Sequence, residues 1–218
     1  MKTIFRFTPI LPVIVLLGCS NPADKVPEAK VTSVTNTPAA EAKPAETPAP
    51  APRSFVINPD NSTINFIGSK VTGSHNGGFK KFVGELHVAN GKLADAGNKI
   101  VIETASLYAD NPRLTGHLKS RDFFNVAEIP TATFETTAIA PGATNFAVTG
   151  NLTLHGITKQ ISFPATITVS EAIVEVTADF FINRFDFEIK YPGKANDLIR
   201  KEVVLKLKVQ ATPGSAAL

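Results

Sequence analysis

A single cysteine stands in the 218 residues, so internal disulfides and cysteine-rich metal sites are excluded. The four histidines, His75, His87, His117 and His155, lie in separate segments without the i, i+4 pairing of a helical zinc site, and no metal ligand set follows from them. Glycine-rich phosphate loops, nucleophile elbows and EF-hand loops are missing, and neither Ser62 nor Ser120 sits in a motif that would activate it. No cofactor signature appears, and the chain reads as a binding protein, not an enzyme. Charge gives no direction either. Removing Lys2 and Arg6 with a leader takes the 22 basic residues to 20 against 19 acidic ones, which offers nothing to a nucleic acid. The longest early apolar run, Phe7 to Leu17, falls short of the about 20 residues needed to cross a bilayer as a helix.

What is present begins with that short run. Lys2 and Arg6, the apolar stretch and then Leu16-Leu17-Gly18-Cys19 predict a lipoprotein signal peptide over residues 1–19, ending in a lipobox. Cys19 is then the acylated N-terminus, carrying palmitate-type chains into a membrane. Ser20 after the cysteine resembles lipoproteins sorted to the outer membrane, on its periplasmic side in a Gram-negative cell. Residues 20–52 shift to Pro, Ala, Thr, Glu and Lys, with too little large apolar surface to offset ordering, and predict a disordered tether. Its r.m.s. span would be about 30 Å.

Residues 53–211 form one domain, followed by a flexible tail over 212–218. Apolar residues alternate with polar ones in eight runs. The clearest are Ile161, Phe163, Ala165, Ile167 and Val169; Val174, Val176, Ala178, Phe180 and Ile182; and Val203, Leu205, Leu207 and Val209. Others join Ile64 to Gly68, Phe82 to Val88, Ile100 to Ile102, Ala132 through Phe134 to Ala138, and Val148 to Leu154. Strands with one apolar face, joined by short turns, predict an all-β antiparallel fold, and closure into an eight-stranded barrel removes exposed edges. Pro164 inside a run predicts a bulge or a locally unpaired position.

One helix interrupts the strands. Asp110 or Asn111 caps it, Pro112 suits its first position, and Leu114 and Leu118 share a face, which makes it a lid. His117, Arg121 and Asp122 follow on or beside it, and Arg184 joins them as a candidate for a ligand headgroup; the structural alternative is an Arg-Asp pair that fixes the lid.

The order HLKSRDFF then PTATF, from His117 to Phe134, resembles the YceI-like family of bacterial envelope proteins, lipocalin-like barrels that bind polyisoprenoid lipids. NFAVTGNLTLHGITKQISFPATI from Asn145, INRFDFEIKYPG from Ile182 and the closing KEVVLKLKV continue the likeness over Phe55 to Ala211. One departure is visible: where relatives often carry histidines around the first strand, this chain has Asn61 and Lys70-Val71-Thr72.

Small residues recur on the inner face, among them Gly68, Gly84, Ala132, Gly150, Ala165 and Ala178. They fit either relief of crowding in a filled barrel or an open interior, and the resemblance implies the open one. A quinone or polyprenyl chain in the barrel, held for sequestration or transport, is then the expected ligand. Phe66, Phe82, Leu86, Phe134, Leu152, Phe163 and Phe180 are the candidate apolar wall. A filled barrel acting as an envelope interaction or stress-protection module is the alternative, and a headgroup enzyme using His117 and Asp122 is a third reading. The resemblance leaves a homodimer open.

Overall fold

The computed structural model describes residues 21–33 and 52–214. Among the described residues there are fourteen strands: β1 (Lys30–Ser33), β2 (Arg53–Ile57), β3 (Thr63–Lys70), β4 (Gly73–Phe79), β5 (Phe82–Ala89), β6 (Lys92–Leu93), β7 (Lys99–Glu103), β8 (Leu107–Ala109), β9 (Thr131–Pro141), β10 (Phe146–Leu154), β11 (Ile157–Val169), β12 (Val174–Asn183), β13 (Gly193–Lys194) and β14 (Asp197–Pro213). The one α-helix among the described residues, α1 (Pro112–Lys119), follows β8.

Eight of the strands close a ring in the order β2, β5, β7, β9, β10, β11, β12, β14 and back to β2, with every pairing antiparallel. β14 pairs with β3 along Ile199–Lys208 and with β2 over Ala211–Pro213, so Thr212 and Pro213 belong to a strand and not to the expected flexible tail, and β3 continues into β4 and β8 as an extension of the wall, with Phe66, Gly68 and Phe79 facing the cavity. Closure pairs each ring strand on both sides over at least part of its length and puts one residue of each alternating pair inside.

The inside is filled at one end only. There Phe55, Ile57, Phe82, Leu86, Val88, Val174, Val209 and Ala211 form one packed cluster. A second cluster lines the wall around Phe163 and Phe180, whose rings stack with centroids 4.1 Å apart, and a third lies under α1.

Two alternations depart from expectation. A bulge on β9 opposite Thr149 and Gly150 leaves Thr136 buried in phase with Ala132 but changes the phase beyond it, so that Ala138 is exposed and Ile139 packs against the core. β2 and β4 carry too few consecutive apolar residues to read as strands, yet both are paired; Gly77 on β4 packs so closely that a Cβ there would sit 2.3 Å from the Phe66 ring.

The predicted tether needs a larger correction. Residues 21–33 are not free: β11 pairs with β12 only over Thr166–Val169, and β1 takes the vacant edge farther along, from Lys30 opposite Ser162 to Ser33 opposite Lys159. On its other side the segment meets β12, where Ala29 N donates to Phe181 O at 2.8 Å and Phe181 N donates to Pro27 O at 3.0 Å. Ala23 and Ala29 are buried. The composition argument failed because small side chains suffice when main-chain hydrogen bonds to an open edge supply the attachment. Pro164 stands between the β1 and β12 ladders, where β11 changes partner.

A chain starting at Arg53 is therefore expected to be less stable than one starting at Ser20. Hydrogen exchange would show it first, as faster exchange across Lys159–Ser162 and at Phe181; unchanged protection there would contradict the pairing.

Candidate functional site

The open end of the barrel is built by α1 and the loops around it. Asn111 caps the helix by accepting from Leu114 N at 3.1 Å, and Pro112 occupies the first turn as its fixed φ allows. Asp110 does other work: it accepts from His75 Nδ1 and from Asn76 N, each at 2.8 Å, tying the helix start to β4. The Asn76 amide first, and then His75, hold its carboxyl below the usual range. Leu118 is buried and Leu114 half-buried, both toward the interior.

Beneath the helix lies a cavity of about 930 Å³. That is near the upper end of the ~300–1,000 Å³ typical of small-molecule sites. Its wall is apolar, with Phe66, Phe134, Leu152, Phe163, Phe180, Leu205 and Leu207 among the side chains that face it. Several of these, including Phe134, Leu152 and Leu205, are only half-buried although they point inward. Large apolar side chains left partly uncovered inside a closed ring are what an empty lipid-sized space produces, and the filled-interior alternative holds only for the far end.

Five of the seven wall candidates, Phe66, Phe134, Leu152, Phe163 and Phe180, line this space. Phe82 and Leu86 do not; they belong to the packed cluster at the closed end. Periodicity gave their face correctly but carries no information on depth along the barrel axis. The small residues divide likewise. A Cβ on Gly68 would meet nothing within 4 Å, so this glycine opens onto the cavity, whereas a Cβ on Gly150 would sit 2.5 Å from Glu135 O and on Gly84 2.4 Å from Ile57.

The headgroup candidates separate too. His117 faces the cavity, meets Asp122 Oδ2 through Nε2 at 2.9 Å, and packs edge-on against Phe123 and Tyr191 at 5.1 and 4.9 Å between centroids. Arg121 points away and pairs with Glu128, so the expected Arg121–Asp122 pair does not form. Arg184 is buried, and its donors go to the backbone carbonyls of Ile189, Tyr191, Ile199 and Arg200. It braces the loop beside the mouth, with four of its five N–H donors committed to main-chain carbonyls. Cys19 lies outside the described residues.

Sequence reading missed a latch on the rim. Lys70 pairs with Asp197 Oδ2, and Asp197 Oδ1 accepts from Thr72 N at 3.2 Å and Thr72 Oγ1 at 3.0 Å, joining the β3–β4 turn to the start of β14. The Lys70 hydrogen bond, with Thr72 adding to it, holds the Asp197 carboxyl below its ordinary value of 3.8. A depressed carboxylate contributes stability above its unfolded pKa and loses it as the pH falls through the folded one. The latch should thus be intact at neutral pH and open only below 3.8. The Thr72 amide shift in an NMR titration reads this directly. Asp197→Asn should abolish the acid transition at Thr72, and a transition that persists would mean another group drives it.

Among the described residues no group of three potential metal ligands gathers, and no helix is long and apolar enough to cross a membrane.

Residues 55–211 match the model of the YceI-like domain. A UPF0312 protein of Pseudomonas putida is 32% identical over 136 residues, covering 58% of this chain and 70% of that protein. One from Azotobacter vinelandii is 38% identical over 90 residues, covering 41% of this chain and 47% of its relative, so that match spans under half of the relative's length. BcnA of Burkholderia cenocepacia superposes with a TM-score of 0.65 at 25% identity over 72% of this chain and 99% of that structure. A polyisoprenoid-binding domain of Saccharophagus degradans superposes with a TM-score of 0.60 at 17% identity, over 74% and 99% of the two chains.

Proposed function

Since this chain belongs to the YceI-like domain family, we propose that its barrel binds an apolar isoprenoid lipid, a quinone or polyprenyl chain, and sequesters or carries it in the bacterial envelope. The observation that carries the proposal is the apolar cavity of about 930 Å³, closed at one end by packed side chains and covered at the other by α1. The polyisoprenoid binding of the Saccharophagus domain supports the same ligand class. Acylated Cys19 anchors the domain to a membrane in this reading, on the periplasmic side of the outer membrane in a Gram-negative cell.

The mechanism is partition. Each buried methylene contributes about 0.8 kcal/mol, or roughly fourfold in affinity, and a long prenyl chain accumulates enough of these to offset the cost of association. His117 at the mouth, with a hydrogen bond to Asp122 and two aromatic neighbours, is the polar group placed to meet a quinone ring or a headgroup. Closure of α1 over the chain excludes water from the tail.

Titrating the chain from Ser20 to Leu218, which keeps every described residue, with isoprenoids of rising length tests this. Affinity should rise by roughly fourfold per added methylene equivalent and level off once the cavity is full. An affinity independent of chain length would remove the cavity from the binding event.

A further inference from the structure

The corrected course of residues 21–33 bears on where a membrane would meet the barrel. Asn21 Oδ1 accepts from Ser69 Oγ at 3.4 Å, which fixes the first described residue against the mouth end of β3. Ser69 immediately precedes Lys70 of the rim latch. Cys19 is two residues from Asn21, and two residues span about 7 Å at most. The acyl-bearing position is thus confined to the neighbourhood of the rim.

The same rim is tipped by apolar side chains that nothing in the fold uses. Val71 on the β3–β4 turn is 55% exposed, and Leu198 at the start of β14 is 50% exposed. They are held side by side, because Val71 N donates to Leu198 O at 3.2 Å. Among the ionisable residues lining the mouth, the cations Lys70, Arg113 and Lys194 outnumber the one carboxylate, Asp197. An exposed apolar pair within a basic collar, next to the point where a lipid anchor emerges, fits a bilayer surface carrying anionic lipid.

We propose that the rim formed by Val71 and Leu198 is a membrane-docking face, and that residues 21–33, by filling the seam between β11 and β12, strap the anchor beside it so that the barrel mouth faces the bilayer. A lipid would then pass between bilayer and cavity without crossing water. The proposal rests on the acylated-Cys19 reading above. Residues 21–33 take on a double role in it, completing the wall and setting the orientation.

The test uses the full chain, processed by cells and reconstituted in vesicles containing anionic lipid. Single cysteines replace Val71 or Leu198 at the rim, or Asp60 or Ala143 at the closed end, each carrying a polarity-sensitive fluorophore; acylated Cys19 does not compete for the label. Quenching by a water-soluble agent should be at least fivefold weaker at the rim positions than at the closed end. A flexible insert of about 15 residues between Ser20 and Asn21 leaves the fold untouched and gives the anchor a reach of about 20 Å. It should bring the rim positions up to the closed-end level of quenching. Equal quenching at both ends in the native chain overturns the proposal, as does rim protection that survives the insert. The mass of the N-terminal peptide separates the readings: an unacylated Cys19 sinks the anchor and this proposal with it, while the isoprenoid content of the barrel, measured on the same sample, stands or falls independently.

Discussion

Replacing Gly68 with tryptophan is expected to empty the barrel of lipid while leaving it folded. Gly68 lies on β3 among the cavity-lining residues, and a Cβ built on it meets no atom within 4 Å. Its backbone is ordinary extended strand, so a side chain there costs no strain and removes the entropic penalty of a glycine. An indole buries about 150–250 Å² and would take the place of the prenyl chain. Isoprenoid content should fall at least tenfold, with the melting temperature unchanged or raised. The chain has no tryptophan of its own, so the introduced indole reports its burial by fluorescence without background. A buried indole together with undiminished lipid would place the ligand outside the barrel.

The largest loss of stability from one truncation should come at Arg184. The residue is 4% exposed, and its guanidinium donates to Arg200 O at 3.0 Å, Tyr191 O at 2.8 Å, Ile199 O at 3.2 Å and Ile189 O and lies over the Phe185 ring at 4.7 Å. Burial lowers its pKa, but arginine remains a cation, and the four carbonyl dipoles are what make a buried one tolerable. Arg184→Met keeps the length of the side chain and removes every donor. Each carbonyl left without a partner costs about 1–3 kcal/mol, partly recovered by water entering from the mouth, so roughly 3–5 kcal/mol is expected overall. Urea denaturation measures it. Arg184→Lys should recover only part, because one ammonium cannot span acceptors on both β14 and the loop at Ile189 and Tyr191. A loss under about 1 kcal/mol for the methionine variant would mean that water already satisfies these carbonyls.

Much of the barrel was legible because alternation is a local property. The eight runs read from the sequence became β3, β5, β7, β9, β10, β11, β12 and β14. The helix was readable from Asn111, Pro112 and the Leu114/Leu118 pair, each acting within one turn. What escaped depends on distant partners. β4 carries Gly77, required by the Phe66 ring and the Tyr108 carbonyl, and Gly78, required by Asn65 and the Ile64 carbonyl, none of which sequence order brings together. β1 is polar and proline-flanked, and only the vacant edge of β11 makes it a strand. Depth along the axis was equally hidden, so Phe82 and Leu86 were grouped with Phe66 although they pack at the closed end. Arg184 reads from the sequence either as part of an Arg-Asp pair or as a headgroup contact; its acceptors are main-chain carbonyls, which no side-chain pattern encodes.

The most direct measurement is native mass spectrometry, followed by organic extraction, of the chain from Ser20 to Leu218 purified from a bacterial envelope without detergent. One isoprenoid lipid per barrel is the predicted result, released only when the fold is disrupted. A barrel that arrives empty and also fails to take up added quinone or polyprenol would contradict a lipid-binding role and leave the cavity without an occupant.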